Sequence, residues 1–296
     1  MLSNFFQSYL SNRRQIVVVD GLKSDEKPLN AGIPQGSRLG PLLFILYIND
    51  IQKDLESEVL IYADDTSLLA FGPNPTETAA ILNRDLGKIA LWAKIWKVSF
   101  NSDKSRDMIF SEKSFDITPP LSLNNGIFKR VTVHKHLGLM LASNLDWSHQ
   151  IHHVCLRANR KLAVLRSIKF IQRRTLDLLY KITIRSIIDY CLPVYWHTLK
   201  VSENNRLEQI QYKSAKLVTG ALKFASKERL YIELCYESIA KRADILGLSL
   251  FHKTLLGHQR PLISKCMPTL ATPTNYNTRK RRKFSSFPVG KHKYNQ

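Results

Sequence analysis

Two adjacent carboxylates interrupt a β-like run in the first half of the chain: Glu58-Val59-Leu60-Ile61-Tyr62-Ala63-Asp64-Asp65-Thr66-Ser67-Leu68-Leu69-Ala70-Phe71. The stretch reads as strand, turn, strand, with both acids at the bend. Burying an ionised carboxylate without a partner is expensive and packing gains nothing from it. Either the bend is an ordinary polar turn, where Asp is common, or something there requires the charge. A hard divalent cation is one such reason: Mg²⁺ prefers carboxylate oxygen, keeps some waters and takes substrate phosphates as further ligands. Consecutive strand residues point to opposite faces, but at a bend Asp64 can face a site while Asp65 adds charge beside it.

Charge divides the chain in two. Of 44 Lys+Arg and 24 Asp+Glu, residues 1–150 hold 16 basic and 16 acidic side chains and residues 151–296 hold 28 and 8. The whole net charge of +20 therefore lies in the second half. A neutral half joined to a strongly basic one points to two jobs, the second involving a polyanion; the alternative is a solvated basic surface. With 44% apolar residues the chain is too hydrophobic to be disordered, and its 296 residues suit two units. Cys155, Cys191, Cys235 and Cys266 form no CxxC pair and no signal peptide is evident, which argues against a disulfide framework and for reduced thiols inside a cell. The longest apolar run, Leu42 to Ile48, is far shorter than the roughly 18 residues of a membrane span, so a soluble protein without a membrane partner is expected.

Along the chain, apolar residues at 2, 5, 6, 9 and 10 follow helical spacing, so the sequence opens inside an amphipathic helix. Gln15 to Val19 is β-branched and ends at Asp20-Gly21, a hairpin signal. Gly32-Ile33-Pro34-Gln35-Gly36-Ser37 makes an irregular loop whose Ser37 can cap a helix over about Arg38 to Leu55. Being apolar all round between 42 and 48, that helix should be buried. Asn74-Pro75-Thr76 starts another, reaching about Lys97, with Ala80, Leu82, Leu86, Ile89, Ala90 and Trp92 on its apolar side. Short β-like pieces follow to residue 145. From Trp147 to about Leu256 the pattern is helical and basic, with breaks near Phe170, Pro193 and Gly220.

The loop does not stand apart from the acids. Gly32-Ile33-Pro34-Gln35-Gly36-Ser37-x-Leu39-Gly40-Pro41-Leu42-Leu43-Phe44-x-x-Tyr47-Ile48-Asn49-Asp50-Ile51, followed by Tyr62-Ala63-Asp64-Asp65, closely resembles the reverse transcriptases of non-LTR (LINE-like, Jockey-type) retrotransposons. Further matches keep the same order: Tyr9-Leu10-x-Asn12-Arg13, Trp92, Asn101-x-x-Lys104-Ser105, His136-Leu137-Gly138 and Leu145-x-Trp147. The resemblance covers about residues 1–260. It implies an α+β fold: a partial right-hand polymerase palm at 1–145, a basic helical thumb and post-thumb region at 146–265, and a flexible basic tail at 266–296.

It also implies an activity, RNA-directed DNA polymerase, a nucleotidyltransferase using deoxynucleoside triphosphates, an RNA template with a DNA primer, and two Mg²⁺ ions. On that reading Asp64 is a metal ligand and Asp65 its accompanying carboxylate. Gln35, Gly36 and Gly40 would position nucleotide and template, and Lys104 would neutralise the leaving pyrophosphate. Arg157, Arg160, Lys161, Arg166, Lys169, Arg173 and Arg174 would face a nucleic-acid backbone while Leu162, Val164, Leu165 and Ile168 pack inward. The family shares its two ions with a further aspartate on a strand before the Tyr-Leu-x-Asn-Arg segment, which here begins at residue 9. The resemblance thus implies a polymerase truncated at its N-terminus, lacking the fingers and that strand, and inactive on its own; a remnant that only binds nucleic acid is the alternative. Asp20 fits a turn better than a replacement ligand.

Three features invite other readings. His149, His152, His153 and Cys155 have no evident distant partner ligands, so zinc is not expected there. Ile187 to Trp196 reads as core rather than as a stacking platform for bases. Arg279 to Lys283 resembles a nuclear-import run in an otherwise solvated tail.

Overall fold

Among the described residues every sheet has two strands, and a lone two-stranded ladder is marginal in water, so each depends on what packs against it. The computed structural model describes residues 2–29, 32–34, 36–111, 113, 115 and 118–256. The chain divides into two units, Met1–Thr132 and Val133–Gln296.

In the first unit α1 (Leu2–Leu10) leads into β1 (Arg13–Gln15), β2 (Val18–Val19), β3 (Leu22–Lys23) and β4 (Lys27–Leu29). The outer two pair antiparallel, and the inner two form the expected hairpin, turning at Asp20-Gly21 with φ of 51° and 82°. The next helix, α2 (Leu39–Ile48), starts as expected, with Ser37 Oγ accepting the Gly40 N–H at 3.0 Å. It ends early, in a 3-10 turn over Asn49–Gln52, and it is not buried: Leu42, Ile45 and Leu46 are exposed. Only the side carrying Phe44 and Ile48 meets the core.

The carboxylate hairpin consists of β5 (Glu58–Tyr62) and β6 (Asp65–Leu69), antiparallel with Tyr62 opposite Asp65. Helix α3 (Pro75–Trp96) is capped by Asn74, whose Oδ1 accepts the Glu77 N–H at 2.9 Å. It buries Ala79, Leu86, Ile89 and Ala93; Ala80, expected on the apolar side, is exposed, one residue off that stripe. Then come β7 (Arg106–Asp107), β8 (Ser122–Leu123), β9 (Gly126–Ile127) and β10 (Lys129–Arg130), of which β8 and β9 pair antiparallel and β7 and β10 parallel. Two small apolar clusters hold this unit. One gathers Ala79, Leu86, Leu121 and Leu123; the other gathers Ile48, Ile51 and Ile89, with Phe44, Leu55, Ile61, Leu68, Trp92 and Phe100 against them.

The second unit opens with a hairpin, β11 (Val133–His136) and β12 (Leu139–Ala142), turning at Leu137-Gly138. Helices α4 (Ser148–Ser167) and α5 (Arg173–Tyr180) follow, then a π-helical turn over Lys181–Arg185 and the short α6 (Ser186–Asp189) and α7 (Leu192–Tyr195). The longer α8 (Val201–Thr219), α9 (Lys227–Leu234) and α10 (Ile239–Leu255) complete it. One continuous core joins α4 (Ile151, Val154, Ala158, Leu162, Leu165) to Ile188, Leu192, Tyr195 and Trp196, so the 187–196 stretch supplies core residues as read, while its Tyr190 and Val194 are exposed. Val164, expected inside, is exposed. The fold is mixed α+β, with the strands small and the second unit mainly helical. No helix among the described residues is long and apolar enough to cross a membrane.

Candidate active site

The pairing of Tyr62 with Asp65 leaves Ala63 and Asp64 as a two-residue turn, and both aspartates are exposed at its tip. Ala63 has φ of 52°, a left-handed conformation that costs an L-residue about 1–2 kcal/mol. Such strain persists only where the surroundings fix it. Ile61 and Leu68 tie the two strands to Ile48, Ile51 and Ile89. The approach to β5 is pinned by Asp85 of α3, a fully buried carboxylate accepting the Ser57 N–H at 2.7 Å and the Glu56 N–H at 3.0 Å. Burial pushes the Asp85 pKa up, but hydrogen bonds from Ser57 and Glu56 and the nearby Lys88 outweigh it and hold the carboxyl below its ordinary value. Outside this latch, Arg84 grips Glu56 through two hydrogen bonds of 3.0 and 2.8 Å.

Of the other sequence candidates in the first unit, Gly40 lies on α2, whose Phe44 and Ile48 join one of these clusters. Gly36 is exposed with φ of 79°, a conformation that favours glycine, and a Cβ there would meet nothing within 4 Å. Gly40 is buried, and a Cβ would lie 3.0 Å from Ser37 Oγ, so its smallness already serves loop-to-helix packing. Gln35 lies outside the described residues. Lys104 is exposed and follows Phe100, which packs into both clusters; Asn101 Oδ1 accepts its N–H at 3.0 Å and the Asn101 carbonyl accepts Ser105 Oγ at 2.9 Å. Two motifs read separately meet in space, for Trp92 Nε1 donates to Asp50 Oδ1 at 2.9 Å and Tyr47 packs edge-on against Trp92 and Trp96. No hydrogen bond or ion pair among the described residues joins Gly36, Gly40 or Lys104 to the carboxylate pair.

Two exposed neighbouring carboxylates suit one Mg²⁺ completed by water and phosphate oxygen. Among the described residues no three His, Cys, Asp or Glu side chains are grouped to hold a metal ion, so a two-ion site does not fit this donor set.

The sequence model of the reverse transcriptase (RNA-dependent DNA polymerase) family matches residues 2–156, from α1 through the carboxylate hairpin into α4. The chain belongs to this family. Its relatives are non-LTR elements: the RNA-directed DNA polymerase from mobile element jockey of Drosophila melanogaster is 31% identical over 73% of the chain, and that of Drosophila funebris 27% over 74%. A relative from transposon X-element of Drosophila melanogaster is 29% identical over 87% of the chain. The chain spans 25% of the length of each jockey relative and 29% of the X-element one. No solved structure matches it.

In the second unit Arg157, Arg160 and Lys161 are exposed on α4, Arg160 opposite the face that buries Ala158 and Leu162 and the other two at its flank. Arg166 is exposed but lies round the helix from Arg157 and Arg160, Lys169 follows the helix end, and Arg173 is ion-paired with Glu233 at 2.6 Å. Arg174 lines a cleft with Lys181. Cys155 faces the core, where burial pushes its thiol pKa up, while His149 and His152 are exposed. The half-buried His153 is held below its ordinary pKa by burial, then by Lys135, Arg157 and His152. Residues 279–283 lie outside the described residues.

Sequence reading missed the part-buried ion pairs. Arg130 Nε donates to Asp107 Oδ2 at 2.7 Å while its other nitrogens donate to the Thr118 and Pro119 carbonyls. Asp189 receives Arg242 through both oxygens. For Asp85 a signal existed, an acid set among Leu82, Leu86 and Ile89 on one helix face.

Proposed function

We propose that this chain is the carboxylate-hairpin part of a non-LTR reverse transcriptase palm followed by its basic thumb region, serving RNA-directed DNA synthesis from deoxynucleoside triphosphates on an RNA template with a DNA primer. The observation that carries the reading is the Asp64-Asp65 pair at the tip of a strained two-residue turn, within a segment matched by the family. Mg²⁺, when bound, would neutralise triphosphate charge and favour attack by the primer hydroxyl. Asp64 would hold that ion, with Asp65 adding charge beside it. Lys104, carried on the Asn101 turn, supplies a cation for the departing pyrophosphate. Gly36 leaves open space where template and nucleotide approach, and Gln35 would orient them. The outward cations of α4 hold backbone phosphates without reading sequence.

A second reading, nucleic-acid binding without catalysis, is favoured by the lack of a third acidic ligand near the pair among the described residues. Primer extension separates the two levels. The purified chain is expected to bind template–primer and not to extend it; Mg²⁺-dependent extension by this chain alone would overturn that expectation.

A further inference from the structure

Arg185 ends the π-helical turn and is only 9% exposed, yet its Nε and Nη2 have no hydrogen-bond partner. A guanidinium is always charged, and burying it with unmet donors is costly. Its surroundings explain where it sits but not what it is for. The ring of Tyr236 lies 4.4 Å and that of Tyr180 5.2 Å from the guanidinium carbon, which gives cation–π contact, and Tyr180 is also a hydrogen-bond neighbour of Arg185, but Nε and Nη2 find no acceptor. The two carboxylates close by are committed elsewhere. Asp177 accepts Lys181 Nζ at 2.7 Å and the Tyr236 hydroxyl at 2.6 Å, and Asp189 is taken by Arg242. Lys181, Arg185 and Arg242 thus face two carboxylates, and Arg185 is the unmatched cation.

One turn outward, Arg174, Asp177 and Lys181 line a surface cleft, and Lys181 also lies 5.6 Å from the Tyr236 ring that covers Arg185. Tyr236 thus touches both sides, its hydroxyl held by Asp177 of the cleft and its ring against the Arg185 guanidinium. Single π turns are uncommon and recur at functional sites. We propose that Arg174, Lys181 and Arg185 form a binding site for a phosphate group, with Arg185 as its inner donor and Tyr236 moving off Asp177 to admit the ligand. The site stands on these contacts and does not depend on the polymerase reading.

The probe is inorganic phosphate, added to the purified 296-residue protein and followed by calorimetry and by the Arg185 Nε–H resonance. Saturable heat and a saturable displacement of that resonance are expected; a resonance that does not move overturns the site. In Arg185→Met the phosphate affinity should fall at least about tenfold, while the melting temperature stays level or rises, because an apolar replacement removes a buried unmatched charge. Unchanged phosphate affinity in that variant overturns the proposal, as does lost affinity accompanied by a lower melting temperature, which marks a structural brace. A single-stranded oligonucleotide distinguishes the source. Weaker oligonucleotide binding by Arg185→Met assigns the seat to a backbone phosphate, and unchanged binding assigns it to free phosphate. Failure of the α4 cations to bind nucleic acid would be read separately, from Arg157→Ala with Arg160→Ala, and leaves the phosphate titration standing.

Discussion

Asp85 accepts the Ser57 amide at 2.7 Å from a fully buried position, which fastens the start of the carboxylate hairpin to the middle of α3. Asp85→Ala would leave the Ser57 and Glu56 amides without acceptors and should cost about 2–3 kcal/mol, read by denaturant unfolding. A loss below about 0.5 kcal/mol would contradict the latch. The pH dependence has a definite sign. The folded pKa lies below the unfolded value, near 3.8, so the latch contributes fully above that value and is lost as pH falls through the folded pKa. The first unit should therefore weaken below about pH 4, and less so in Asp85→Asn.

Ala63 holds the turn at φ of 52°. Ala63→Gly should stabilise the hairpin by up to about 1 kcal/mol, the relief of the left-handed conformation less glycine's added unfolded entropy, whereas Ala63→Val should destabilise it. Equal unfolding midpoints for all three proteins would remove strain from the account.

Asp107 is buried and receives Arg130 through a network that also ties down the Thr118 and Pro119 carbonyls. Truncation by Arg130→Ala strands a buried carboxylate, with an expected cost of about 3–5 kcal/mol by thermal or denaturant unfolding. The double change Arg130→Met with Asp107→Leu should recover most of it. A double variant no better than the single one would show that the carbonyl contacts, not the ion pair, matter.

The α4 cations are expected to act through phosphate neutralisation. About six contacts would give a log–log salt slope near −5, and replacing Arg157, Arg160 and Lys161 together by Ala should flatten it by about 2–3 with equal loss on unrelated sequences. Fluorescence anisotropy across a salt series measures this, and a flat response in the unaltered protein would leave α4 as a merely solvated face.

Much of the fold was legible because local rules agreed. Asn74-Pro75 announces the start of α3, Asp20-Gly21 a two-residue turn, and the β5–β6 hairpin follows from strand-like residues on either side of two acids. The failures came where burial depends on partners. Leu42, Ile45 and Leu46 belong to a helix apolar all round, whose periodicity names no face, so which side meets the core could not be read. Val164 was assigned inward with its neighbours although it lies on the outward side of α4 beside Arg157 and Arg160. The Asp64-Asp65 pair was legible because unpaired acids in a β run are anomalous. Asp85 left a signal on its helix face but not its partners, since the Ser57 amide that explains it lies 28 residues earlier, and Arg185 left none, because the Tyr236 ring over it lies 51 residues later.

The central claim is that the Asp64 carboxylate serves nucleotidyl transfer. Its most direct test is primer extension on an RNA template by a chimera in which this chain replaces the matching quarter of the jockey polymerase. The account predicts Mg²⁺-dependent extension by the chimera, a loss of about a hundredfold or more with Asp64→Asn at unchanged template–primer affinity, and little change with Asp20→Asn in the other hairpin turn. Extension by the Asp64→Asn chimera at the parental rate would contradict it.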